Sequence, residues 1–522
     1  MNLKEWWQGS GTETKTVQVI VFLLAFALSS DISNAAVSIA MGLAGVYIVA
    51  DCIRKKSLAG FYTAKENWLG IAVFLAAVML ASVLLGDKES IRDAFKYIYW
   101  TLPFPIMVYL GKKAEIRYAA LGGFLLSVAV TSGNMVWLHY LVLQGRKLAV
   151  PGGGVRLGAF LGNPNLYAML LIGTFPLLIC FLLDKKEQAQ QKTWIRFLTG
   201  AVLALGFWSL WKTGSRGAMA GLFGGGILTC FVICIKQKKL KQFVTGFTVC
   251  VTAAAVFLLA GIRGGEYRHG DVIRMRLIQS SYAMWQDHKL LGVGLSNWRK
   301  EYSTQYILKE EIEKDAARQY QEWKKAAEKR AAAARKAEAA KKAAAQKAAQ
   351  QKKTAVQKPP AQKQVVQKPK HQLTPEQKQA AARKAEAARK AAAKREAEQK
   401  AWWKKVIFKN ESNLPMPHNV VVWFFSTTGV IGGLGYLFFV LYYVHLFCKR
   451  MKRNCGTWII AAGLWAFLAI GLHGLVDAGI TNKAAARLVY MVTGLALSYR
   501  YSKEKKPLPE CGDRAAIASE NS

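Results

Sequence analysis

Acidic residues are scarce in this sequence, 32 against 72 lysines and arginines. In the segments read below as facing outward, outside an alanine- and lysine-rich tract, no paired carboxylates and no metal-type cluster are evident. A mechanism without a bound metal is therefore the simpler expectation, because a hard cation needs converging carboxylates. Zinc-type spacing of cysteine and histidine is absent, as is any basic motif interleaved with aromatics, which argues against nucleic acid as the partner of the positive charge. The eight cysteines (Cys52, Cys180, Cys230, Cys234, Cys250, Cys448, Cys455 and Cys511) fall in apolar stretches or in loops that read as cytoplasmic. None of them requires a disulfide partner. Cys230 and Cys234 stand one helical turn apart without histidine or acidic neighbours and read as packing residues.

What is abundant is apolar sequence and positive charge together: 52% of the 522 residues are hydrophobic, yet the formal net charge is +40. A soluble globular domain seldom combines the two, so they must occupy different segments. Apolar runs near membrane length recur at residues 15–30, 34–53, 67–85, 91–110, 118–142, 166–183, 194–211, 218–235 and 243–260, and again at 420–447, 457–476 and 488–499. An all-α polytopic membrane protein of about twelve transmembrane helices follows. Residues 1–261 hold spans one to nine, 262–418 a large outward loop, 419–500 the last three spans and 501–522 a tail.

Lysine and arginine concentrate in alternate loops: Arg54 to Lys56, Lys112 and Lys113 with Arg117, Lys185 to Arg196, Lys236 to Lys241, Lys449 to Arg453, and Lys503 to Lys506. Positive residues flanking a span are retained on the cytoplasmic side, so these loops and both termini are expected there. The first span reads as a retained helix rather than a cleaved signal.

Within the outward loop, residues 310–405 change to alanine, lysine, glutamine, glutamate and arginine, with basic residues exceeding acidic ones by more than two to one. These are good helix formers without an apparent apolar stripe, so two long solvated helices are expected. Pro359, Pro360 and Pro369 mark the bend between them, and Thr374-Pro375-Glu376-Gln377 reads as the start of the second. Such an arm is either a tolerated insertion or a partner for anionic surface polymer or headgroups.

Four outward segments carry unusual polar residues. Arg156 through Asn165 offers a guanidinium and the amides of Asn163 and Asn165 beside a helix start. Thr213-Gly214-Ser215-Arg216-Gly217 is a tight bend that keeps Arg216 at the membrane surface. Arg274 and Arg276 precede Trp285, Gly292, Gly294 and Trp298. Two residues apart on a helix, the two arginines point to different faces, so only one need reach a site. Pro417-His418-Asn419 precedes the tenth apolar run and the glycines Gly429, Gly432 and Gly433. An interfacial arginine can equally be a snorkelling anchor, and a lone histidine an interfacial hydrogen-bonding group. Their common face favours function: guanidinium forks match the oxygens of a diphosphate, and a histidine beside them can deprotonate a sugar hydroxyl. His473 and Asp477, four apart, read as a structural hydrogen-bonding pair.

This ordered set, with many spans and a large loop before the His-Asn pair, resembles the O-antigen ligase/polymerase superfamily, and most of all an O-antigen ligase. The likeness runs over about residues 15–499, leaving out the alanine- and lysine-rich tract. It implies a GT-C-like helical fold in a bacterial inner membrane, with a periplasmic active face. The donor would be a glycan on undecaprenyl diphosphate, the acceptor lipid A-core, and no cofactor is expected. By that resemblance Arg216 and Arg274 or Arg276 hold the diphosphate and His418 activates the acceptor, with Arg156, Asn163, Asn165, Ser215 and Asn419 as supporting substrate contacts. Two alternatives remain: a polymerase joining lipid-linked repeats, and a lipid-linked glycan transporter. No internal repeat of the span pattern is visible, and the polar residues gather on one face rather than at the midplane, which weighs against transport.

Overall fold

A computed structural model of the chain describes residues 11–58, 65–113, 115–144, 156–185, 189, 192–241, 244, 269–354, 374–453, 458–477 and 479–498. Among them every regular element is helical. The longer helices are α1 (Thr12–Ser30), α2 (Asn34–Lys55), α3 (Glu66–Leu85), α4 (Lys88–Thr101), α5 (Pro103–Lys113), α6 (Arg117–Leu143), α7 (Pro164–Leu183), α8 (Thr193–Thr213) and α9 (Arg216–Lys236). They continue as α10 (His269–Asp287), α11 (Lys309–Thr354), α12 (Pro375–Ser412), α13 (Val420–Arg453), α14 (Trp458–Gly474) and α15 (Lys483–Ser498). Eight of them, α1, α2, α3, α6, α7, α8, α9 and α13, are long and apolar enough to cross a membrane, and α14 is a shorter apolar helix. The chain is a multi-pass membrane protein.

Two of the expected spans differ in the structure. The run 91–110 is not one helix but two, α4 and α5, divided at Leu102. Pro103 and Pro105 lack the N–H groups that would continue the ladder, so the helix stops where they begin. α4 also carries Lys88, Glu89, Arg92, Asp93 and Lys96 while burying Ser90, Ala94, Tyr97 and Thr101, the pattern of an amphipathic helix. The last span begins at Lys483 rather than near Leu488, because Asn482 caps it: its Oδ1 accepts from the Ala484 amide at 2.9 Å. The run 243–260 lies, apart from Val244, outside the described residues.

The chain divides into two units, Met1–Tyr302 with Pro415–Ser522, and Ser303–Leu414. In the first, α9 packs along α14, α1 along α6, α3 along α13, α7 along α14 and α5 along α15. The α9–α14 approach needs small residues: a Cβ on Gly221 would stand 2.5 Å from the Ala469 carbonyl oxygen, and one on Gly225 2.8 Å from the Ala469 nitrogen. Glycine four residues apart lets helix backbones meet and gain dispersion contacts where lipid gives no hydrophobic drive to association.

At one end of this unit the basic residues are matched. The Asp51 carboxylate, buried, accepts from the Tyr109 hydroxyl at 2.6 Å and Arg54 at 2.8 Å, and pairs with Lys55 at 3.1 Å and with Lys113. Nearby, Lys449 reaches Glu66 at 2.8 Å and Arg450 donates to the Asn67 amide oxygen at 3.0 Å. At the opposite end stand the starts of α7, α9, α13 and α15 and the close of α14.

The second unit is a pair of helices. α11 and α12 are joined by Lys324 to Glu396 at 2.7 Å and Lys404 to Glu313 at 2.8 Å. Contrary to the expectation of no apolar stripe, Ile312, Ala316 and Tyr320, spaced by four, are buried, and Trp323 stacks near Tyr320 and Trp403. α12 begins at Pro375, where the capping residues placed it.

Candidate functional site

Arg156 lies before α7 and reaches two other elements. Its Nε donates to the Thr213 carbonyl at 2.8 Å, and a terminal nitrogen donates to the Asn165 side-chain oxygen at 2.5 Å. Thr213 closes α8, and Gly214 follows with φ +61. A Cβ there would meet the Arg156 Nε at 3.3 Å, so glycine serves both the left-handed turn and the guanidinium lying over it. Burial, with the charges of Arg274 and Arg216 acting the same way and Asp477 against, lowers the Arg156 pKa from its ordinary value. It stays a cation at working pH. These four charges are therefore within one another's field.

Asn163 caps α7: its Oδ1 accepts from the amides of Asn165 at 3.0 Å and Leu166 at 3.1 Å, with Pro164 at the first helical position. Ser215 stands at the start of α9, buried, with its own amide donating to the Thr213 hydroxyl at 3.2 Å. Arg216 is thus the first residue of a helix, its side chain 60% exposed.

Asp271, in the first turn of α10, joins the two arginine elements. One oxygen pairs with Arg216 at 3.0 Å and the other with Arg274 at 3.1 Å. Asp271 and Arg274 share a helix face because they are three apart. Arg276 projects elsewhere and is 2% exposed, so of the two arginines Arg274 is the one beside Arg216. Asp271 was not anticipated from the sequence; its spacing from Arg274 was the available signal.

His418 precedes α13 with φ +53, a strained left-handed backbone for a residue with a Cβ. Asn419 holds it: the Oδ1 accepts from the Val421 and Val422 amides, each at 3.0 Å, and the Nδ2 donates to the Leu475 carbonyl at 2.9 Å. That tie brings the end of α14 alongside, and His418 Nδ1 lies 3.2 Å from the Asp477 carboxylate. The expected His473–Asp477 pair does not form a hydrogen bond. His473 is buried with no partner for its Nδ1 among the described residues, and Asp477 turns to His418 instead.

The Arg274 helix and the His418 helix are laced together. α13 breaks at Gly429, φ +61 and ψ −159, which frees backbone groups that the loop after α10 takes up. Val293 and Gly294 amides donate to the Ser426 and Thr427 carbonyls, both at 2.9 Å, and the Val430 amide donates to Lys289 at 2.8 Å. The same loop is pinned by Asp87, whose carboxylate accepts from Ser90, Ser296 and Asn297. The Ser90 hydrogen bond, helped by Ser296 and outweighing burial, holds the Asp87 carboxyl below the usual carboxylate range.

The arrangement offers guanidinium forks for an oxyanion next to an imidazole with one nitrogen engaged by a carboxylate. Residues 200–323 match the family model described as O-antigen ligase. Over that segment, about a quarter of its length, the chain is similar to the O-antigen ligase/polymerase superfamily. No curated protein matches it. The family implies enzymatic glycosyl transfer, of the ligase or polymerase type, between a lipid-linked glycan and a lipid acceptor. The matched segment contains Arg216, Asp271, Arg274 and Arg276; Arg156, His418 and Asp477 lie beyond it. It also runs into α11 as far as Trp323, taking in the buried positions Ile312, Ala316 and Tyr320 that the sequence reading had left in the insertion.

Proposed function

We propose that the chain transfers an O-antigen type glycan from undecaprenyl diphosphate to lipid A-core, at the periplasmic face of the bacterial inner membrane. The observation that carries this reading is the pairing of His418 with Asp477 at the end of the bundle where Asp271 gathers Arg216 and Arg274. A carboxylate on Nδ1 orients the ring and favours the tautomer whose Nε2 is an open base. The acceptor hydroxyl gives its proton to that nitrogen as its oxygen attacks the anomeric carbon. The bond from that carbon to the phosphate oxygen breaks, and undecaprenyl diphosphate leaves with the electron pair. Arg216 and Arg274, released from Asp271, take the leaving phosphates, and Arg156 adds a fixed charge behind them. Transition-state stabilisation then comes from cations held in place before the donor arrives.

Asn163 and Asn419 support the site through helix caps in this reading, and Ser215 through the α8–α9 bend, rather than through direct sugar contacts. The orientation follows from the lysine and arginine of the alternate loops.

A gene deletion followed by gel analysis of surface lipopolysaccharide tests the reading. A ligase mutant accumulates carrier-linked polymer and displays bare core. Core bearing a single repeat would assign the chain to the polymerases instead, and unchanged surface glycan would reject both.

A further inference from the structure

A second cationic group lies at the same end of the bundle but shares no residue with the site above. Arg487, on the first turns of α15, is 7% exposed, and its Nε has no hydrogen-bond partner among the described residues. Its guanidinium sits 5.1 Å above the Tyr99 ring of α4. Lys483, one turn earlier on the same face, is engaged among the described residues only with the Asn34 side-chain oxygen, at 2.5 Å. Neither cation makes an ion pair among the described residues.

A buried guanidinium without an acceptor is costly in a membrane protein and marks a functional position unless a partner is supplied. The nearest acid in its field is Asp31, which follows α1. Burial pushes the Asp31 carboxyl above its ordinary value, against the pull of Lys483 and Arg487, the reverse of what a tight ion pair does. Asp31 lies in the field of both cations but forms an ion pair with neither among the described residues. α15 adds the partial positive charge of its own N-terminus.

We propose that Arg487 and Lys483, with the Tyr99 ring as a wall, form a second anion site that takes the phosphate ester of a membrane lipid. The lipid source is favoured over free phosphate by the surroundings. α4 and the residue that follows it expose Phe95, Ile98, Tyr99 and Leu102 at helical spacing, with the Tyr99 ring against Arg487, an apolar strip that suits acyl chains and repels a hydrated ion. A phosphate on Arg487 would fill the missing acceptor with a charge-assisted hydrogen bond, and Lys483 at the rim would add a point charge.

The test uses the full chain, purified in detergent, with lipid binding followed by native mass spectrometry. The Arg216→Gln background weakens the diphosphate site as a competitor, and the substitutions below lie outside it, so failure here is separate from failure of the transfer reading. Dioleoyl phosphatidate should bind saturably, and dioleoyl phosphatidylcholine about tenfold more weakly, roughly 1.4 kcal/mol. Lys483→Gln and Arg487→Gln should each weaken phosphatidate by a similar factor, with Arg487→Lys recovering part of the loss. Should Arg487→Gln fail to fold, Lys483→Gln carries the test alone, since its side chain lies at the rim. Equal phosphatidate binding in the folded variants would overturn the site. Displacement of phosphatidate by millimolar inorganic phosphate would overturn the lipid assignment.

Discussion

The two ends of the helical bundle are both rich in lysine and arginine, but they dispose of that charge differently. At one end Asp51 is buried among Arg54, Lys55, Lys113 and the Tyr109 hydroxyl, so three cations close over a carboxylate shielded from solvent. At the other end Asp271 is shared by Arg216 and Arg274, and among the described residues the acceptors of Arg156 are carbonyl and amide oxygens. A cluster closed over a buried carboxylate is a clasp between helices; one held by an exposed carboxylate can exchange it for an incoming anion. The number of carboxylates does not separate the two cases; their burial does, since the Asp51 side chain is 2% exposed and that of Asp271 51%.

Substitutions at the two ends should therefore fail in different ways. His418→Ala should remove the base and lower transfer by about 10²- to 10⁴-fold, with the protein still expressed and inserted. Arg216→Ala should also abolish transfer through loss of the diphosphate contact, as measured by conversion of carrier-linked glycan in membranes. Full activity in either variant would take that residue out of the mechanism. Asp477→Asn keeps His418 but loosens its orientation, and should cost on the order of ten- to a hundredfold, less than the base itself. A structural role alone would leave the pH profile of transfer unmoved; a positioning role predicts that the profile shifts.

At the matched end the readout changes from rate to stability. Asp51→Asn should lower the unfolding free energy by about 1–3 kcal/mol, because the Tyr109 hydroxyl and Lys113 lose their charged acceptor. Transfer per folded molecule should be unchanged. A loss of rate without a loss of thermal stability in detergent would break the contrast between the ends.

The smallest effect is expected in the second unit. Trimming residues 332–385, which keeps Ile312, Ala316 and Tyr320 and the Lys324–Glu396 pair, should leave insertion intact and transfer within about twofold. Removal of 310–405 takes those buried positions as well, and should be the more damaging cut.

The sequence made the spans legible wherever an apolar run was long and uninterrupted, as in α2, α3 and α7. It misled at 91–110, where the run is apolar enough in sum but Pro103 and Pro105 cut the hydrogen-bond ladder. The candidate arginines were legible because they broke the charge bias of their loops, and His418 because it stands immediately ahead of an apolar run. Their partners were not. Asp477 lies 59 positions from His418 and, along the chain, sits at helical spacing from His473, so local periodicity pointed to the wrong histidine. Asp271 bridges to Arg216 across 55 positions, a contact between the first turns of α9 and α10 that no local spacing announces. The buried stripe in α11 was hidden by composition: three apolar positions spaced by four disappear in a long run of alanine and lysine.

The most direct test of the account concerns the side of the membrane on which the constellation stands. Single cysteines at positions 216, 418 and 239, in a cysteine-free background, can be challenged with a membrane-impermeant maleimide in cells whose outer membrane alone is permeabilised. The account predicts that Arg216→Cys and His418→Cys label while Lys239→Cys labels only after lysis. Labelling of the first two from opposite sides of the bilayer would contradict it.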